Sequence, residues 1–175
     1  MRSLRLFFAL WPTEQMQSAL ESVAAPAVRA AGGRRMPTQN LHSTLAFLGS
    51  VPENRFGDLS VVDEVSAPPI ALTLDRIEHW RRPEILCACA SVTPQPALDL
   101  ARELKDALLA AGFSPDLKPF RAHVTLARKV ARARDETMTP VEWSFDSIAL
   151  VASQTAPSGS SYSVVRSWAL GEKSL

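Results

Sequence analysis

The chain has 175 residues, 46% hydrophobic and 21% charged, with a formal net charge of +1. That is an ordinary globular composition, long enough to bury a sizeable core without staples. The near-zero charge excludes a general nucleic-acid coat or a membrane-surface binder, so any anion site must be local. The N-terminal MRSLRLFFALWPTEQ imitates a signal peptide. Its apolar run is short, however, and Pro12 and Glu14 close it without a cleavage site, so LRLFFAL reads as a first buried strand. Pro12 and Thr13 then signal a helix start, Met16, Leu20 and Val23 follow at helical spacing, and Pro26 is expected to end or kink the helix.

AAGGRRMPTQN reads as a loop, the next strand is LHSTLAFLG with Gly49 as its terminator, and a second helix is expected from Pro52 to about Val65. PPIALTLDRIEHW alternates as a strand. From Ile85 the order restarts: ILCACAS as a strand, TPQP as a helix opener, then a stripe of Ala97, Ala101, Leu104 and Leu108 capped by Gly112. FRAHVTLARKV is the next strand, and WSFDSIALVAS and SYSVVRSWAL close the chain. No segment reaches the length of a membrane-spanning helix.

Two of the three histidines stand in matching frames: His42 in LHSTLAFLG and His123 in AHVTLARK. A lone strand histidine is ordinarily a hydrogen-bonded structural residue, and His79 in IEHWRR fits that description. With 9 Thr and 21 Leu in the chain, chance sets two histidines before x-Thr-Leu roughly once in ten thousand such sequences. Phe7 to His42 spans 35 residues and Cys87 to His123 spans 36, each in the order strand, helix, loop, His-x-Thr strand. The pattern predicts residues 1–175 as one domain of two similar lobes, with a pseudo-two-fold axis bringing both histidines to a central cleft.

On a strand, residues two apart share a face, so His42 points with Thr44 and His123 with Thr125, while Leu41, Leu45 and Phe47 are expected on the opposite face. Paired imidazoles can act as base and acid, with both protonation states accessible near neutral pH, and the threonine hydroxyls can hold phosphoryl oxygens. Neither motif carries the carboxylates a metal site would want, and threonine is a poor zinc ligand. Cys87 and Cys89, the only cysteines, point the same way along one strand, poor geometry for a disulfide. They suit a reduced cytoplasm.

These frames, with LRLFFAL at the start and YSVVRSWAL at the end, resemble the two-histidine (2H) phosphoesterase superfamily. More narrowly they are similar to the LigT-like RNA 2′,3′-cyclic phosphodiesterases, formerly called 2′-5′ RNA ligases. The resemblance implies an α+β bilobal fold, two antiparallel sheets forming a cleft with helices outside. It implies hydrolysis of an RNA 2′,3′-cyclic phosphate end, or of a small cyclic nucleotide, to a 2′-phosphate, with no metal or cofactor. His42, Thr44, His123 and Thr125 inherit the motif, with His123 as base and His42 as acid by family analogy. The alternatives are another cyclic phosphate or a 2′-5′ linkage as substrate, 2′-5′ ligation included, or RNA-end binding without turnover.

Arg128 matches an arginine that contributes to the phosphate site in relatives. Strict alternation puts it on the face opposite His123, so it reaches the cleft only where the strand ends, bulges or twists. Lys129 has the correct parity and is the local substitute. Phe7, Phe8 and Tyr162 are candidates to stack a base, and Arg34 and Arg35 to touch RNA phosphates. A monomer without an obligate protein partner is expected.

Overall fold

The computed structural model describes residues 1–171. Nine strands are present among them: β1 (Ser3–Leu10), β2 (Arg34–Arg35), β3 (Ser43–Pro52), β4 (Ile70–Trp80), β5 (Ile85–Cys89), β6 (His123–Arg128), β7 (Glu136–Phe145), β8 (Ser147–Ala156) and β9 (Gly159–Ala169). Helix α1 spans Glu14–Ala31 and α2 spans Gln95–Ala110. The strands form two antiparallel sheets, ordered β3-β1-β8-β9 and β2-β6-β5-β4-β7.

The expected two-fold order is visible in that arrangement, with a crossover. Each His-x-Thr strand pairs with the first strand of its own repeat, β3 with β1 and β6 with β5. The next neighbour is exchanged. Strand β4 follows the first repeat but joins β5, and β8 follows the second but joins β1. Helices exchange too: α1 packs on β5–β7, where the Trp143 indole donates to the Met16 carbonyl at 2.9 Å, and α2 packs against β3. One apolar core therefore runs through both sheets, from Leu6, Phe8 and Leu10 to Leu86, Leu104 and Trp143.

Several sequence expectations shift at the element ends. Thr13 caps α1, its hydroxyl accepting the Met16 N–H at 3.2 Å, but the helix continues through Pro26, and Ala27, Val28 and Ala31 pack on the core beyond it. The segment expected as a second helix is a 3-10 run, Glu53–Glu64. Phe56, Leu59, Val62 and Val65 recur every third residue and all pack inward, the period of a 3-10 helix rather than an α-helix. Gly49 does not end β3. It adopts φ +73° beside a bulge opposite Leu6 and Phe7, and the strand runs on to Pro52.

WSFDSIALVAS is two strands, β7 and β8, divided at Asp146. The loop expected over 30–40 contains β2, which adds Arg34 and Arg35 beside Arg128 and Ala127. Gly33 permits this: at φ +77°, a Cβ there would lie 2.5 Å from the Arg128 carbonyl oxygen. Among the described residues no helix is long and apolar enough to cross a membrane.

Candidate active site

Between the sheets lies a cavity of about 290 Å³ lined by His42 and Thr44 from β3 and its approach, and by His123, Thr125 and Arg128 from β6. The two-fold crossover has brought both His-x-Thr frames to one cleft. Beneath each histidine sits a small apolar patch: Phe7, Ala9, Ala149 and Val151 on one sheet, and Ile85, Cys87 and Cys89 on the other. The cysteines are buried and free, and the neighbouring Cys89 thiol together with burial pushes the Cys87 thiol far above its ordinary pKa. That makes it an inert packing residue.

The two imidazoles are held in the same way. His42 Nδ1 lies 2.6 Å from the Asn40 carbonyl oxygen, and His123 Nδ1 lies 2.7 Å from the Arg121 carbonyl oxygen. A carbonyl can only accept, so each Nδ1 carries the hydrogen and each Nε2 is left with its lone pair when the ring is neutral. His42 Nε2 is 3.1 Å from the Thr44 hydroxyl, which donates to it in that state. The segment ahead of His42 is fixed from α1, where the buried Gln17 amide donates to the carbonyls of Gln39 and Leu41 at 3.1 and 3.0 Å. The Asn40 side chain also donates to the Ser160 carbonyl at 3.0 Å, tying this segment to β9.

Burial pushes the His42 pKa down to about 4, although its bond to Asn40 works upward; charges on His123 and Arg128 lower it further. His123 is also lowered, chiefly by burial, with the Arg121 carbonyl opposing and the Arg121 guanidinium reinforcing the shift. Both rings are therefore neutral in the empty cleft at pH 7. The expectation of mixed protonation states near neutrality moves to acid pH.

A bulge decides which side chains reach the cavity. Along β6 the pairing to β5 slips between Cys87 and Leu86, so both Leu126 and Ala127 are buried and the alternation inverts. Arg128 thereby lines the cavity with His123 and Thr125. Lys129, expected to have the correct parity, is instead exposed at φ +55° and does not line it. The same slip occurs on β3, where Leu45 and Ala46 are both buried opposite Phe8 and Ala9. Phe47 thus lines the cavity, not the opposite face.

Of the aromatic candidates, Phe7 lines the cavity and stacks on His42 with ring centroids 5.0 Å apart. Tyr162 meets the His42 ring edge-on at 5.3 Å. Phe8 points the other way, fully buried in the main core against Trp168, as alternation from Phe7 requires. It cannot stack a base. Arg34 lies over Gly159 and Arg35 pairs with Glu21, both beside Arg128 at a side mouth of the cleft. His79 is structural, its Nε2 2.8 Å from the Val130 carbonyl.

Sequence reasoning missed Trp11 and Trp80. Trp11 stacks on His42 at 5.1 Å, nearly parallel at 14°, and Trp80 lies 4.5 Å from His123. Trp11 continues the cleft-face alternation Phe7, Ala9, Trp11, a signal present in the sequence. Behind Trp80, the buried Glu78 carboxylate accepts from the Trp80 indole at 3.0 Å and from Arg121. Burial works against its ionisation, but the bonds from Trp80 and Arg121 hold its pKa below the ordinary value. Arg5, Ser153, Thr155 and Ser160 complete the polar wall. Among the described residues no group of three or more His, Cys, Asp or Glu side chains is placed to hold a metal ion.

This arrangement has counterparts. The chain is 29% identical over 169 residues to the RNA 2′,3′-cyclic phosphodiesterase of Escherichia coli (strain K12), covering 95% of this chain and 96% of the relative. It is 28% identical over 184 residues to the RNA 2′,3′-cyclic phosphodiesterase of Thermus thermophilus, covering 95% and 90%. The solved structure of Escherichia coli LigT complexed with 3′-AMP superposes with a TM-score of 0.86 at 28% identity, over 98% of this chain and all of that one. The family model described as LigT like Phosphoesterase matches residues 10–87 and 90–162, one His-x-Thr frame in each segment, and the chain belongs to that family.

Proposed function

We infer that the protein hydrolyses RNA 2′,3′-cyclic phosphate ends to 2′-phosphates by paired-histidine acid–base catalysis. The observation that carries this reading is the matched pair of imidazoles. Each is held at Nδ1 by a backbone carbonyl, which leaves Nε2 to react, and from opposite sheets each lines, with the threonine of its own frame, one cavity that also holds Arg128. Relatives bearing the phosphodiesterase name align over nearly the whole chain.

In this mechanism the cyclic phosphate sits between the histidines. His123 Nε2 takes a proton from water as its oxygen attacks phosphorus, the bond from phosphorus to O3′ breaks, and His42 delivers a proton to O3′. The products are a 2′-phosphate and a free 3′-hydroxyl, with the two histidines exchanged in protonation state. Thr44, Thr125 and Arg128 donate to the non-bridging oxygens as charge accumulates there. Because burial keeps His42 neutral in the empty cleft, its proton arrives with the substrate: a phosphate anion beside Nε2 favours the imidazolium. An acid formed in so dry a site gives up its proton readily. Phe7 and Tyr162 form the aromatic wall against which a terminal base can rest.

The test is hydrolysis of an RNA ending in 2′,3′-cyclic phosphate, with chelator present, followed by assignment of the phosphate position. A 2′-phosphate product supports the reading; a 3′-phosphate, or strict metal dependence, overturns it. His42→Ala and His123→Ala are expected to lower kcat by about 10² to 10⁴. A monomer in a reducing cytoplasm, in keeping with two buried free cysteines, belongs to the same reading and is checked by sedimentation and by fractionation.

A further inference from the structure

The cleft does not end at the histidines. Past His123 it opens into a second groove of about 620 Å³, roughly twice the catalytic cavity at about 290 Å³. The two spaces share Thr44, Phe47 and His123, so a molecule seated at the histidines can extend from one into the other. Trp80 and Phe120, both partly exposed, present aromatic surface to the groove. Lys105, Lys118 and Arg121 line it beside the carboxylate of Asp116; Arg121 is paired with Glu78, so the two lysines carry the groove's positive charge.

The groove wall is built rather than incidental. Lys105, on α2, donates from its ammonium group to the Lys118 carbonyl at 2.6 Å, and Asp116 accepts the Lys118 N–H at 2.9 Å. Together these bonds hold the loop that carries Lys118 and Phe120 beside the helix. The Lys118 side chain stays exposed. Rings interleaved with cations are the chemistry that holds single-stranded nucleic acid, since bases stack on the rings while the cations follow the phosphates.

We propose that this groove seats the nucleotides immediately 5′ of the cyclic phosphate, so that the protein selects RNA chains over mononucleotides. The proposal rests on the phosphodiesterase reading and adds the size of its substrate. A terminal nucleotide bound at the histidines must send its 5′ chain out of the catalytic cavity. The opposite mouth, beside Arg34 and Arg35, holds only about 200 Å³, and its one ring, Tyr162, already meets His42 edge-on. Arg35 is paired there with Glu21. The groove at Trp80 is the larger and the more aromatic exit.

The experiment compares kcat/KM for cytidine 2′,3′-cyclic phosphate with that for a trinucleotide ending in the same group. Wild-type protein is expected to favour the trinucleotide by tenfold or more, with KM for the trinucleotide alone rising steeply with salt. Lys118→Glu is expected to cut that preference at least fivefold and to reduce the logarithmic salt slope by about 0.7, the value of one phosphate contact on a single strand. Phe120→Leu, which keeps an apolar side chain against the core, is expected to reduce the preference while leaving the salt slope in place. Equal kcat/KM for the two substrates in wild type, or an unchanged preference in both variants, overturns the groove assignment and leaves the phosphodiesterase reading standing. No hydrolysis of either substrate overturns the phosphodiesterase reading, and the groove assignment with it.

Discussion

Burial of His42 sets a specific expectation for proton binding. The ring is enclosed by Phe7 at 5.0 Å, Trp11 at 5.1 Å and Tyr162 at 5.3 Å, and this enclosure pushes its pKa from 6.5 to about 4. At pH 7 about one molecule in a thousand then carries a proton there when the cleft is empty. Trp11→Ala removes the ring most nearly parallel to the imidazole and lets water reach it. The His42 pKa should rise in this variant, within a ceiling of 6.5 set by the unperturbed group. The assay is the titration of the imidazole proton resonances, assigned with His42→Asn. It is paired with kcat/KM against pH, which reports the free protein. The singly protonated pair is most populated between the two free pKa values, so wild-type kcat/KM should peak below pH 6.5. The kcat profile should lie to the alkaline side, because bound phosphate favours the imidazolium. Trp11→Ala should move the kcat/KM peak toward neutrality. A wild-type His42 titrating at 6.5 or above, or profiles of kcat and kcat/KM that superimpose, would refute the reasoning.

The same burial should appear in stability. Since the folded pKa of His42 lies below its unfolded value, its contribution is complete above pH 6.5 and is lost as pH falls toward 4. The loss at pH 4.5 is about 2–3 kcal/mol, visible in urea midpoints at pH 7.5 and 4.5, and this part of the slope should vanish in His42→Asn. Phe7 and Phe8 should differ in KM rather than in stability. Both are buried, so each change to Ala is expected to destabilise, Phe8→Ala by about 3–5 kcal/mol in denaturant melts, but only Phe7→Ala should raise KM for the cyclic substrate. Arg128→Ala should lower kcat/KM by about 10²-fold, the scale of losing one donor to a developing oxyanion, while Lys129→Ala leaves turnover within twofold of wild type. An equal loss in both would place the wrong cation in the cleft.

What the sequence made legible, and what it hid, divides along a physical line. The His-x-Thr frames, the strand carrying Phe7 and the α2 stripe follow from local periodicity, which residues impose on their own backbone. The exchange of β4 and β8 between sheets is a long-range pairing, and no local pattern encodes it. The environment of the histidines depends on that exchange: Trp80 reaches His123 only because β4 lies beside β5. The 3-10 run at Glu53–Glu64 was readable in its three-residue apolar period, which a search for helical spacing of 3.6 passes over.

The bulges carry the most consequential correction, because they break the alternation on which strand reasoning rests. Each frame continues identically for two residues, His42-x-Thr44-Leu45-Ala46 and His123-x-Thr125-Leu126-Ala127, and in each the Leu-Ala pair is buried together. The slip lets the third residue after each threonine rejoin the cleft face. That residue is Phe47 in one lobe and Arg128 in the other. The repeat therefore supplies matched imidazoles and hydroxyls by symmetry, then departs from symmetry at one equivalent position. An aromatic ring stands there on the His42 side and a guanidinium on the His123 side, and Arg128 in turn lowers the pKa of His42 across the cleft. Two copies of one motif can divide acid from base only if their surroundings differ, and this position is one place where they do.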